Sequence, residues 1–345
     1  DPAGAAQALE TIATSSAVER HRLEAWHAAA TLWLDVAEDA DKGLTALEKA
    51  ADIDLKYADV FERLRGQYVA REDRARLASL LERRLDQTDD PEERVALEVT
   101  RGRALAEVGD REAAKQALGA ALDENPDHVD ALDAFADLCA QEADWEGAEQ
   151  SLIRLARSVN DPTRQIEIYR RLGALYDSEL PNPQRAELAY NEIIKREPND
   201  VGAQQCLVFV YGRLGETDKA VEMATELVNR AGSPEEKRER TLNLARVHEE
   251  VLKDKRKAET TLDRARKTWP QDGAVLKALA EFYQRHGETT ALNVLLDRAA
   301  NDARRALGTG RFDPGLFSQL STVAELRGGA GAAQIANATL AAIEG

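Results

Sequence analysis

The chain has 345 residues, 63 acidic against 46 basic (Lys and Arg) side chains, and a formal net charge of -17. That balance argues against a general nucleic-acid binder, because neutralising phosphates requires a basic surface. Cys139 and Cys206 lie far apart without paired spacing, so neither a disulfide framework nor a zinc cluster is indicated, and no stretch approaches the length of a membrane span.

Leu, Ala, Glu and Arg dominate, β-branched runs are scarce, and Gly and Pro fall between periodic segments, which predicts an all-helical chain. At the start, Ala5, Leu9 and Ile12 share one helical face. Residues 1–16 are expected to be the orphan second helix of a truncated pair, the first of its helices lying in a longer protein that continues upstream of Asp1. Trp26, Ala30 and Trp33 mark the next helix, followed by Gly43, Leu47 and Ala50 on its partner. The copy after it departs from the pattern, with Arg65 in the small-residue position and Leu77 where its counterparts carry Ala.

Residues 93–126 form the clearest unit. Leu97, Arg101, Gly102 and Leu105 lie on one helix, Gly109-Asp110 makes a turn, and Ala114, Leu118 and Ala121 lie on a second helix that stops before Pro126. Gly102 in mid-helix costs about 1 kcal/mol relative to Ala, so it is expected where a neighbouring helix must come close. Leu132, Phe135, Ala136, Ala148 and Leu152 follow, then Tyr169, Leu172, Gly173, Tyr176, Ala186, Tyr190 and Pro198. Further on come Leu276, Leu279, Ala280, Tyr283, Gly287 and Ala299. The last copy, from about Phe312, is degenerate and Gly-rich, and residues 332–343 form an almost wholly apolar helix that does not look like a cap.

The residue opening each second helix recurs at Gly43, Leu77, Ala114, Ala148, Ala186, Ala220, Ala258, Leu292 and Ala333, in steps of 34, 37, 34, 38, 34, 38, 34 and 41. A period near 34 is the mark of a stacked helical array. Alternate steps sum to 71, 72, 72 and 75, which points to a duplicated unit of two helix pairs with slightly different tilts at alternate junctions. Pro126, Pro198 and Pro270 mark helix boundaries in one series, and Pro91, Pro162 and Pro234 in the other.

These residues resemble the tetratricopeptide repeat, whose first helix carries aromatic, Leu, Gly and aromatic residues and whose second carries Ala, aromatic, Ala and Pro. The alternating spacing is similar to that of very long repeat proteins of myxobacteria and their relatives. The resemblance implies a right-handed α-solenoid of antiparallel helix pairs: the orphan helix over 1–16, eight pairs over 17–311, and a degenerate ninth over 312–345. It also implies a protein–protein interaction scaffold, without catalytic residues or cofactor, whose first helices line a concave face that takes a peptide or partner helix. The alternative is the regulatory arm of an enzyme or signalling protein whose catalytic domain lies elsewhere. Neither nucleic-acid binding nor membrane insertion is expected. Self-association through uncapped ends is allowed for. A cytoplasmic location is expected, with a periplasmic one left open.

On that face the pattern places Arg103, Asp130, Asp133, Asp137, Arg170, Phe209, Arg213 and Arg246. Phe209 and Arg213 are four apart and therefore helical neighbours, and arginine beside an aromatic is a common hot-spot pairing. Acids at 130, 133 and 137 followed by arginines give an acid-to-base step that could orient a dipolar ligand. The competing expectation is that these arginines pair with acids of adjacent helices. Lys277, with Glu281 on its own helix, does not supply the clamp for acidic tails that some members build from lysines and asparagines.

Other candidates read as structure. His248-Glu249-Glu250-Val251-Leu252 resembles half of a zinc-protease helix but lacks the second histidine, and His248 takes the packing position of Trp33, Leu105 and Tyr176. Cys139 shares a position with Tyr211 and Tyr283, so it is expected in the core. The basic run Lys253-Asp254-Lys255-Arg256-Lys257 reads as a solvated loop between helices, and Gly308-Thr309-Gly310 and Gly328-Gly329-Ala330-Gly331 read as turns.

Overall fold

The computed structural model describes residues 1–310 and 313–328. The expected repeat residue Ala333, the apolar segment 332–343, the opening residue Phe312 and most of the 328–331 glycine cluster lie outside the described residues.

Described residues form α1 (Pro2–Ser15), α2 (Glu19–Asp35), α3 (Ala40–Ile53), α4 (Val60–Ala70), α5 (Arg74–Leu85), α6 (Pro91–Val108), α7 (Arg111–Glu124), α8 (Val129–Gln141) and α9 (Trp145–Ser158). There follow α10 (Pro162–Asp177), α11 (Pro183–Arg196), α12 (Val201–Leu214), α13 (Thr217–Asn229), α14 (Pro234–Arg246), α15 (Lys255–Thr268), α16 (Gly273–Arg285), α17 (Thr289–Gly308) and α18 (Pro314–Leu326). A π-helical segment, Val247–Val251, continues α14. No strand occurs among the described residues. The chain divides into two compact units, Asp1–Ile168 and the remainder from Tyr169.

Within each unit consecutive helices pack on one another in chain order, α1 on α2, α2 on α3, α6 on α7 and α8 on α9 in the first, α11 on α12 and α14 on α15 in the second. Links of a few residues leave consecutive packed helices no arrangement but antiparallel. Apolar stripes at three- and four-residue steps supply the contact faces. In the first unit Ala29, Ala30, Trp33, Leu47 and Ala50 are all at most 1% exposed. In the second, Ala186, Ile193, Ala258, Ala280 and Phe282 are fully buried.

The interior glycines show why small residues are needed. A Cβ on Gly102 would stand 2.6 Å from Leu118 Cγ, and one on Gly173 would stand 2.6 Å from the Tyr190 ring. Real Cβ atoms do not approach so closely, so α6 against α7, and α10 against α11, pack with no room for a methyl group. The expectation for Gly102 therefore holds. At Arg65 no such approach exists: the residue is exposed and pairs with Glu62 at 2.6 Å, while Leu64 and Tyr68 carry the buried stripe of α4.

Most of the turns inside pairs share one construction. The residue before the next helix cap takes a left-handed backbone at Glu38, Glu72, Gly109, Ala143, Gly215, Lys253 and Gly287. The capping residue then donates its backbone N–H to a carbonyl five or six residues back, as Asp110 does to Leu105 at 3.0 Å and Asp144 to Cys139 at 2.8 Å. Side chains of Asp39, Asp73, Asp110, Asp144, Asn182 and Asp254 accept from the backbone N–H three residues on. Each satisfies one orphan donor of a helix start.

One expectation is corrected. The basic run at 253–257 is not a loop: Asp254 caps α15, and Lys255, Arg256 and Lys257 form that helix's first turn. The aspartate capping signal outweighed the local charge density that favoured a loop.

Candidate functional site

Each first helix of a pair turns one side inward, onto its partner, and another outward. The four arginines expected on the outward side, Arg103, Arg170, Arg213 and Arg246, are all exposed and all engaged. Arg103 on α6 reaches α8, donating to the Asp130 carbonyl at 3.2 Å with its guanidinium 3.5 Å from the Asp130 carboxylate. Arg164, at the start of α10, lies 3.3 Å from Asp133 and 3.8 Å from Asp130. The acids of α8 are thus matched by cations of its two neighbours. Asp137 is exposed on the same helix.

In the second unit Arg170 donates to Asp200 at 2.7 Å. Asp200 is also the α12 cap, accepting from Ala203 N–H at 2.7 Å. Arg213 donates to Asp177, which accepts a second bond from the Tyr190 hydroxyl at 2.7 Å. A chain of contacts therefore runs from Gly173, through the Tyr190 ring it accommodates, to the Asp177 carboxylate and out to Arg213. Burial, and then acceptance by Asp177, push the Tyr190 hydroxyl far above its ordinary pKa.

Phe209 is half-buried, and Arg246 of α14 lies over its ring at 5.1 Å. This stack joins two successive first helices, and Arg246 is also 3.4 Å from Glu250 on its own helix. The expected neighbour, Arg213, is directed instead to Asp177. Other first-helix pairs have the same form: Arg63 to Asp35 at 2.5 Å in the first unit, and Arg238 to Asp272 at 2.5 Å and Arg285 to Glu249 at 2.8 Å in the second. Lys277 lies 4.0 Å from Glu281. These cross-helix partners are 27 to 36 residues apart in sequence, so no local pattern could have picked them out.

The residues read as structural behave accordingly. Cys139 is fully buried, and burial, followed by the nearby Asp144 carboxylate, pushes its thiol up to about 11. At that value almost no thiolate is present at neutral pH. Burial also raises Cys206. Glu249 meets Arg285 and His286; burial alone would raise its pKa, and Arg285 and His286 together outweigh it and hold the carboxyl below its ordinary value. Among the described residues no group of three His, Cys, Asp or Glu side chains could hold a metal ion, and no helix is long and apolar enough to cross a membrane.

No family model matches the chain, and no curated protein matches it. Solved structures do. A MamA double mutant (RS-1 ArsTM) is 20% identical, with 49% of this chain and 90% of that one covered at a TM-score of 0.39. YrrB, described as a tetratricopeptide protein with an unusual peptide-binding site, is 15% identical, with 56% and 94% covered at 0.41. A tetratricopeptide repeat protein from Parabacteroides merdae is 15% identical, with 74% and 97% covered at 0.40. Likeness at this level adds nothing about function, and the fold rests on the chain's own geometry: close approach at Gly102 and Gly173, the capped turns, and neighbour-on-neighbour packing. On that geometry each unit is an all-helical array of antiparallel helix pairs packed in chain order, and its residues resemble those of the tetratricopeptide repeat.

Proposed function

We propose that this chain is a non-catalytic scaffold segment of a larger bacterial assembly that binds a peptide or partner helix on the outward side of its first helices. The carrying observation is the Phe209–Arg246 stack beside the Asp177–Arg213 pair, an aromatic and two arginines presented together on successive first helices of the second unit. Aromatic and arginine side chains of this kind are the usual anchors of protein interfaces. Arg103, Asp130, Asp133 and Asp137 in the first unit, and Arg170 in the second, supply polar contacts that fix register more than they add affinity.

Because the arginines are already paired, a partner must either exchange acids with them or bind over neutralised pairs. Exposed pairs contribute only about 0–1 kcal/mol each, so exchange is inexpensive. The test is retention of a purified native partner on the immobilised chain. Phe209→Ala with Arg213→Ala should abolish retention while far-UV circular dichroism stays unchanged. Undiminished retention would remove both residues from the site.

A further inference from the structure

One sizeable cleft is not on the first-helix side. It has a volume of about 680 Å³ and lies in the second unit, where α13, α14 and α15 meet. Its α14 wall is the stripe Lys237, Thr241, Leu244 and His248. At 100° per residue that stripe lies opposite Arg246, so the cleft and the Phe209–Arg246 stack occupy different sides of one helix. Its α15 wall carries Arg256, Lys257, Thr260, Thr261, Arg264 and Thr268, with Trp269 at one end.

Three features set this cleft apart. The first is uncompensated charge. Lys237, Arg256 and Arg264 have no ion-pair partner among the described residues, and the one acid in the lining, Asp254, caps α15 at 2.9 Å from Lys257 N–H and lies 3.8 Å from the Lys257 ammonium, leaving four cations against one carboxylate. The corresponding cleft of the first unit, between α3, α4 and α5, holds about 260 Å³. There Arg76 meets Glu48 at 3.0 Å, and Arg83 donates to the Ala51 carbonyl at 2.7 Å with Asp52 at 3.6 Å. One cleft is neutralised from within, and the other is left cationic in a chain of net charge -17.

The second feature is placement against the helix dipole. The first turn of α15 contains Lys255, Arg256 and Lys257 and no acid. A helix start favours anions, so cations there work against the helix. Lys255 is compensated by Glu288, but Arg256 and Lys257 face the cleft. The third is shape. The threonines keep the floor low, since Thr241, Thr260, Thr261 and Thr268 fold their hydroxyls back onto carbonyls four residues earlier. The rims stay exposed along the cleft.

The cations fall into two groups. Arg256 and Lys257 sit at one end, Lys237 and Arg264 at the other, because α14 and α15 are antiparallel. Seven or eight residues of α15 separate the groups, or about 11 Å at the rise of a helix. A single small anion cannot reach both. An extended segment in polyproline II geometry repeats its side-chain direction every three residues, and about 9 Å separates such positions. Long lysine and arginine arms span the remainder.

We propose that this cleft docks an extended acidic segment of a partner protein, with carboxylates three residues apart held by Arg256 and Lys257 at one end and by Lys237 and Arg264 at the other. The site does not depend on the first-helix surface proposed above. It is tested on the full chain by fluorescence anisotropy at low salt, using labelled Gly-Ser-Glu-Ser-Gly-Glu-Ser-Gly and a peptide of the same composition with adjacent glutamates. The spaced peptide should bind about tenfold tighter than the adjacent one and lose about tenfold or more with R256E and R264E combined. It should bind equally well to the Phe209→Ala, Arg213→Ala chain. R256E removes a cation from a helix start, so the double variant should keep its helicity.

Absence of binding by the spaced peptide would overturn the proposal, as would equal affinity for the two spacings. Loss of binding in the Phe209/Arg213 variant with retention in the Arg256/Arg264 variant would move the peptide to the first-helix side and also overturn it. Inorganic tripolyphosphate competing as strongly as the spaced peptide would make the cleft a general anion trap, contrary to the proposal.

Discussion

Single residues decide whether helices can approach. Gly173 is the sharpest case, because its Cβ position is filled by the Tyr190 ring, which is itself anchored by its hydroxyl to Asp177. Gly173→Ala gains up to about 1 kcal/mol of helix propensity. It should nevertheless lower stability by about 1–3 kcal/mol net, since the ring cannot move without breaking its hydrogen bond. Urea denaturation measures this directly; an unchanged midpoint would show that α10 and α11 have slack. The need for a small residue was readable at Gly102 and Gly173, where glycine interrupts an otherwise strong helical pattern.

His248 makes a second residue-scale prediction. Burial, and secondarily the charge of Lys257, hold its imidazole below the ordinary histidine value of 6.5, with Asp254 acting weakly the other way. A depressed folded-state pKa means that the unfolded chain takes up the proton first. The stabilising contribution is present above about pH 6.5 and is lost as pH falls through the folded value. The stability difference between pH 7.5 and pH 5.5 should therefore be smaller in His248→Leu, with Leu105 as the precedent for that side chain. An identical difference in both proteins would contradict burial as the cause. The packing position of His248 could be read from the repeat, but its π-helical setting could not, because nothing in Val247–Val251 differs in composition from an ordinary helix end.

At the scale of elements, capped turns do much to define the pairs. Aspartate or asparagine precedes six of the eight described second helices, Glu216 and Glu288 standing before the other two, so the turns at 39, 73, 144 and 254 could have been located from sequence, and weighing that signal would have prevented the misreading of the 253–257 run. What sequence could not supply is the left-handed residue in front of the cap when it is not glycine. Ala143 holds that conformation at φ 57°. Ala143→Gly should stabilise the protein by up to about 1 kcal/mol, the reverse of the usual effect of introducing glycine, because an L side chain is disfavoured there. Thermal denaturation checks the sign; a lower midpoint would mean that the turn is already relaxed with alanine.

Pairing between first helices also belongs to this scale. Arg103 with Asp130, Arg170 with Asp200 and Arg213 with Asp177 link helices one pair apart. The sequence shows each arginine facing outward but not which acid meets it, because that depends on how far successive helices are offset. Residue identity gave the face, and packing geometry gave the partners.

Over the whole molecule, the composition that argued against nucleic acid also explains the charge pattern. Acids serve as caps and as partners for arginine, whereas in the cleft of α13, α14 and α15 cations outnumber them. Within each unit a helix packs mainly on its sequence neighbours, so stability there is expected to be a sum of local terms instead of one global core. Hydrogen exchange by mass spectrometry on Gly102→Leu tests this most directly, since the substitution forces α6 and α7 apart. Local coupling predicts faster exchange in α6 and α7, a smaller rise in α5 and α8, and unchanged protection in α2, α3 and α14 to α17. An even loss of protection across all helices would contradict it.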